Sequence, residues 1–228
     1  MKKKFLVGLL LFVAVLGLTS CRGETSTYYE NYEEDEGAIR DIDDESQTEL
    51  DDDDHVGDVD SGGGIDAFSD GFEDGVFRDD NADFEFHLPD GWTYVPQQEL
   101  IELSMEMSMQ LNRMVLYAVI ANDEQDTTSL VVGYEDMMSD VSTISMTAVD
   151  VIDDLVTRFA DNPDVREISD SLTEVIAGYE YQALRVYFSD FQDLEDEVVT
   201  FYVRRIRNHM LTISISGPVD NNVLDYFR

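Results

Sequence analysis

The hydrophobic and polar positions of the chain become regular after residue 84, and the first pattern they show is that of strands. Phe84, Phe86 and Leu88 alternate with polar residues, as in a half-buried strand. Residues 114–121 are apolar at both alternating sets, which predicts a central strand covered on both faces. Further strands are predicted at 130–134, 165–168, 172–176, 181–188, 198–207 and 210–216.

Two segments have helical rather than strand spacing. From Pro96 onward, apolar residues recur every three or four positions as far as Leu111. A second helix is predicted over 147–160, with one apolar face, and Asn162-Pro163 ends it. A short C-terminal helix is predicted near Asp220. The order of elements predicts an α+β fold, an α/β/α sandwich with a central antiparallel sheet and helices on both faces.

The start of the chain has a different pattern, an apolar run over residues 5–18 that follows Lys2, Lys3 and Lys4 and is interrupted only by Gly8 and Gly17. A run of about 14 residues is short for a membrane span, which needs roughly 20. A positive start and a short apolar core are typical of a secretory signal peptide. We therefore expect the chain to be exported.

The sequence Leu18-Thr19-Ser20-Cys21 closes the apolar run and resembles the bacterial lipobox. The resemblance implies a signal peptide over 1–20, cleavage before Cys21, and a lipid on Cys21 that holds the protein at the extracytoplasmic face of the cell membrane. The alternative is an ordinary secretory signal followed by a free thiol. Since Cys21 is the single cysteine, the rest of the chain contains no disulfide and no cysteine-based metal site.

Residues 21–80 are strongly acidic and lack periodic apolar positions. Residues 22–80 contain 23 Asp and Glu against three Arg. Such a segment cannot bury enough apolar surface to offset its chain entropy, so a disordered acidic tether is predicted, followed by a domain over 81–228 that should fold alone. Without the signal peptide the chain has 11 Arg and 51 Asp and Glu, a net charge of −40, which excludes nucleic acid as a partner.

The Asp-rich part of the tether raises the question of calcium. The nearest EF-hand-like spacing begins at Asp58 and places Ser69 where a bidentate Glu belongs, so the pattern fails. We expect a solvated polyanionic spacer, and diffuse calcium binding stays open.

The domain also shows a family resemblance. The motif Phe84-x-Phe86-x-Leu88-Pro89-x-Gly91-Trp92 resembles the opening strand and turn of PsbP-like domains, which include many bacterial lipoproteins. Gly178-Tyr179 with Ala183, and the late strand with Leu211-Thr212, are similar to that family as well. The resemblance implies the sandwich fold and a non-catalytic accessory or binding role. It implies no functional residue.

The side chains that could support chemistry are scattered. His55, His87 and His209 are far apart in the sequence, and no nucleophile elbow or phosphate loop occurs. Met105-x-Met107-x-Met109 resembles a thioether set for copper, but alternate residues of a helix do not share a face, which favours core packing. Arg204, Arg205 and Arg207 could bind an anion or pair with carboxylates.

These observations predict no catalytic, cofactor-binding or metal-binding residue. We expect a membrane-anchored, non-catalytic binding or accessory module with an unknown protein or small-molecule partner. The alternatives are an enzyme that uses carboxylates in a cleft, and a spacer whose acidic tether is the functional part. An apolar pocket with converging polar groups would favour a small-molecule ligand, and two buried carboxylates with separated pKa values would favour an enzyme.

Overall fold

The computed structural model describes residues 71–138, 141–189, 197–219 and 221–228. The strands are β1 Phe72–Glu73, β2 Val76–Asp79, β3 Phe84–His87, β4 Thr93–Tyr94, β5 Val115–Asn122, β6 Ser129–Asp136, β7 Val165–Ile168, β8 Leu172–Ile176, β9 Tyr179–Phe188, β10 Glu197–Ile206 and β11 His209–Pro218. The helices are α1 Gln97–Leu111 and α2 Ala148–Ala160, and a 3-10 helix covers Val223–Tyr226.

The main sheet has eight strands, in the order β4-β5-β6-β11-β10-β9-β7, with β8 also paired to β9. Every pairing in it is antiparallel. The apolar run that predicted a central strand forms β5, which is buried along its whole length. An α+β fold with a large antiparallel sheet is therefore confirmed.

The helices begin and end where local signals place them. Thr147 caps α2 in a capping box, because its hydroxyl accepts from the Asp150 amide at 3.3 Å and its own amide donates to the Asp150 carboxylate at 2.7 Å. The Thr147 hydroxyl also donates to the Asp150 carboxylate at 2.7 Å, and this bond, then that of the Thr147 amide, stabilises the charged carboxylate and lowers the pKa of Asp150. α1 ends at Leu111, and Asn112 then takes the left-handed conformation that stops a helix.

Both α-helices lie on the same face of the main sheet, which corrects the expectation of α-helices on both faces. Val131, Ser214 and Phe201 are successive cross-strand partners, so their side chains share one face. Val131 belongs to the core under α1, and Phe201 belongs to the core under α2. Each helix therefore covers its own half of one face.

The second face is covered by a separate three-stranded sheet, β1-β2-β3, and Phe227, just after the 3-10 helix, packs against this small sheet. The Tyr134 hydroxyl, on this second face, donates to the Asp79 carboxylate at 2.5 Å. The ring of Phe86, which is fully buried, lies 5.0 Å from that of Phe227. The layers are thus the α-helices, the main sheet and the small sheet.

β1 and β2 fall within the range that the sequence predicts to be tether. The folded part therefore starts at or before Phe72 rather than at residue 81. Phe77 is 2% exposed, although it is surrounded by acidic residues in the sequence. The average composition of residues 71–80 does not reveal these two short strands. Residues 1–70, which include the predicted signal peptide and the rest of the predicted tether, lie outside the described residues.

Candidate functional site

The residue with the strongest functional signal in the sequence, Cys21, lies outside the described residues, as do His55 and the acidic run at 51–70. Among the described residues, no helix is both long and apolar enough to cross a membrane.

The histidines of the domain lie in different sheets. His87 is on β3 of the small sheet, with its Nε2 3.3 Å from a carboxylate oxygen of Glu85. His209 begins β11 in the main sheet and is 7% exposed, and burial lowers its pKa against the opposing effect of Asp136. The structure does not bring the two histidines into one site.

The three arginines near the end of β10 do not form a common anion site. The guanidinium of Arg204 lies over the ring of Tyr179 at 3.8 Å and donates to the carbonyl of Ala82 at 3.1 Å. Arg205 points to the opposite face of the sheet and donates to the carbonyls of Ile144 and Met146. Both side chains thus bind backbone and aromatic groups, rather than the carboxylates that the sequence suggested.

A buried ion pair joins α1 to the sheet. Arg113, just after α1, pairs with Glu135 at the end of β6, and their side chains are 8% and 10% exposed. Burial raises the pKa of Glu135, and the charge and hydrogen bond of Arg113 oppose that effect. The guanidinium of Arg113 thus holds this carboxylate between the end of α1 and the sheet.

A small cavity of about 20 Å³ lies beside this ion pair, under α2. It is lined by Arg113, Glu135, Met137, Thr143, Met146, Val151, Asp154, Leu155, Met210 and Thr212. That volume has room for about one water molecule and is far below the several hundred Å³ of a typical ligand pocket. The cavity therefore does not favour a small-molecule site.

A second buried carboxylate, Asp79, fastens the small sheet to the second face of the main sheet. One of its oxygens accepts from the amides of Asn81 and Ala82 at 3.0 Å, and the other accepts from the Tyr134 hydroxyl. Asp83, at the end of the same turn, accepts from the hydroxyl of Tyr179. Sequence reasoning missed this cluster because Asp79 lies in the range assigned to the tether.

The methionines of α1 divide as helical geometry requires. Met107 is 6% exposed and packs in the core under α1, which confirms core packing for this residue. Met105 and Met109 are 62% and 76% exposed, so all three sulfur atoms do not converge. In the part of the chain that the structure describes, no three His, Cys, Asp or Glu side chains are arranged to hold a metal ion.

Comparisons with known proteins give likenesses of fold only. Neither a protein-family model nor a curated protein matches the chain. The solution structure of cyanobacterial PsbP from Synechocystis sp. PCC 6803 is similar over 67% of this chain and 90% of that chain, with 18% identity and a TM-score of 0.39. The crystal structure of LpqN from Mycobacterium tuberculosis, described as involved in cell envelope biogenesis, is similar over 60% of this chain and 72% of that chain, with 11% identity and a TM-score of 0.37. At these scores the fold assignment rests on the strand order and packing described above.

Proposed function

We propose that this protein is a lipid-anchored extracytoplasmic module that binds a partner without catalysing a reaction. The observation that carries the proposal is Leu18-Thr19-Ser20-Cys21, placed directly after an apolar run that follows three lysines. A lipid on Cys21 holds the chain at the membrane surface, and the acidic segment after it separates the domain from the anchor.

The surroundings of the buried ionisable groups support a non-catalytic role. Glu135 is paired with Arg113, and Asp79 accepts three hydrogen bonds. A general acid or base needs access to substrate. These carboxylates instead connect one structural layer to the next, which is the arrangement expected of a stable binding scaffold.

The anchor is tested by replacing its cysteine. Cys21→Ser should abolish metabolic acyl labelling and leave the signal peptide uncleaved, whereas Ser20→Ala, which keeps a small residue before the cysteine, should be processed normally. Labelling, membrane fractionation and mass spectrometry of the mature N-terminus in the native host measure this. An unmodified Cys21 in mature wild-type protein would refute lipid anchoring.

The binding role is tested by crosslinking intact cells that express the wild-type protein, with Cys21→Ser as the matched bait that lacks the lipid. A binding module should capture a specific partner at the surface, and the crosslinks should fall within the folded domain. A captured molecule that is converted to product on incubation with the purified protein would contradict the non-catalytic part of the proposal.

A further inference from the structure

Helix α1 exposes two methionines that core packing does not explain. It buries Leu100, Ser104, Met107 and Leu111 against the sheet. Met105 and Met109 lie on the exposed side, at 62% and 76% exposure. Methionine fills irregular gaps in hydrophobic cores, and this accounts for Met107 but not for the two exposed side chains.

The two exposed methionines are four residues apart on a regular helix. Residues at that spacing are neighbours on one helix surface, with Cβ atoms about 5–6 Å apart. Each side chain has three rotatable bonds, so the two thioether sulfurs can approach one ion from adjacent turns. The three methionines of the Met-x-Met-x-Met sequence therefore cannot bind one ion together, but Met105 and Met109 lie on the same face of the helix.

The charges around this pair favour a cation. Glu102 and Glu106 are exposed, and each lies three residues before one of the two methionines, on the same helix surface. Gln98 and Gln110 donate amide hydrogen bonds to these carboxylates at 3.2 Å, which leaves their negative charge in place. α1 contains no basic residue.

The nearest arginine along the chain does not offset this charge. Arg113 is buried and paired with Glu135 between the end of α1 and the sheet. The exposed surface of α1 thus combines two neutral soft ligands with two negative charges.

Thioether sulfur is a soft ligand that selects Cu(I), whereas Mg²⁺ and Ca²⁺ prefer oxygen and Cu(II) prefers nitrogen and oxygen. We propose that Met105 and Met109 together bind one Cu(I) ion on the exposed face of α1, with Glu102 and Glu106 supplying a favourable field. The site lies wholly on the folded domain and does not depend on the anchor or on a protein partner.

The experiment uses the full chain carrying Cys21→Ser, because the thiol of Cys21 would compete for a soft ion. The protein, labelled with ¹³C at its methionine methyl groups, is titrated without oxygen with Cu(I), and in parallel with Ag(I) as a redox-inert substitute. The methyl signals of Met105 and Met109 should shift together and saturate at one equivalent. The signal of Met107 should not move, and Ca²⁺ should produce no shift.

Leucine variants measure the contribution of each sulfur at nearly constant volume and helix propensity. Met105→Leu and Met109→Leu should each weaken Cu(I) binding, measured against a competing chelator, by at least about tenfold. Met107→Leu is the matched control, and it should leave the affinity unchanged. Glu106→Gln should weaken binding by less and reduce its dependence on salt.

Two results would overturn the proposal. One is an unchanged affinity in the double variant Met105→Leu/Met109→Leu whose fold is intact by circular dichroism. The other is a titration in which the methyl signals of other methionines shift and saturate while those of Met105 and Met109 do not shift.

Discussion

The bond between Asp79 and Tyr134 offers the sharpest test of how the small sheet is attached to the main sheet. Asp79 is 6% exposed, and its carboxylate accepts from Tyr134, Asn81 and Ala82. Tyr134 is 1% exposed, so its hydroxyl has no access to bulk water. The change is Tyr134→Phe, which removes the hydroxyl and keeps the ring.

The expected loss of stability follows from the strength of a hydrogen bond to a buried carboxylate. A hydrogen bond to a charged group contributes about 1.5–3 kcal/mol to stability. Tyr134→Phe should therefore lower the free energy of unfolding by that amount. Asp79→Ala should cost more, because it also leaves the Ala82 amide without its acceptor, at about 1–3 kcal/mol for a buried donor.

The assay is urea denaturation of the wild type, both single variants and the double variant. If the bond couples the two residues, the losses of unfolding free energy in the two single variants, added together, will exceed the loss in the double variant by about 1.5–3 kcal/mol. Tyr94→Phe is the control, because Tyr94 is 43% exposed, and it should change stability by less than about 0.5 kcal/mol. Additive effects of the two variants would refute the view that this bond fastens the small sheet.

Three further predictions concern the core, the alkaline limit and the boundary of the fold. Met107→Ala should lower the free energy of unfolding by about 2–5 kcal/mol, and Met105→Ala by less than about 0.5 kcal/mol, in the same urea assay. Burial, then the charge of Glu174, raises the pKa of Tyr202 to about 12 from 10.0. The folded state thus favours the neutral phenol, and this stability is fully present below pH 10 and is lost as the pH rises toward 12. For a pKa difference of two units, the loss of unfolding free energy is roughly 3 kcal/mol. Tyr202→Phe should therefore reduce the decline of stability above pH 10. An equal decline in the wild type and the variant would contradict this role of Tyr202. A chain of residues 81–228 should be at least about 3 kcal/mol less stable than one of 71–228, because it lacks Phe77 and Asp79, and equal melting curves would show that β1 and β2 contribute nothing.

The sequence predicted those parts of the fold that depend on local signals. The helix predicted over 147–160 is observed at Ala148–Ala160, because Thr147 and Asp150 form a cap that three consecutive turns of apolar spacing follow. The strand predicted over 114–121 is observed at Val115–Asn122, since an apolar run that is this short and ends at a polar turn has the length of a buried strand rather than that of a helix. Each of these signals lies within a dozen residues of the element it specifies.

The start of the fold was not predictable in the same way. Phe72 and Phe77 lie among acidic residues, and β1 and β2 have only two and four residues. Strands that short have no clear period, and the net charge of the stretch favours disorder. Their stability comes from partners far along the chain, such as Tyr94 against Phe72 and Tyr134 against Asp79, and these partners are not visible in a local window.

The hydrophobic pattern predicted that both faces of the main sheet are covered, but it did not predict which elements cover them. Apolar residues on both sets of β5 require that each face of the sheet be covered, and this is what the structure shows. These apolar residues do not specify what covers each face, because the apolar face of a helix and a small sheet rich in aromatic residues bury apolar surface equally well. Two helices separated by the β5–β6 hairpin can lie side by side on one face when the sheet is eight strands wide, and the second face is then left for the aromatic residues of β1, β2 and β3. Residues 71–80, at the end of the acidic stretch, thus supply β1 and β2 of this layer, and their few buried side chains, rather than their net charge, place them in the domain.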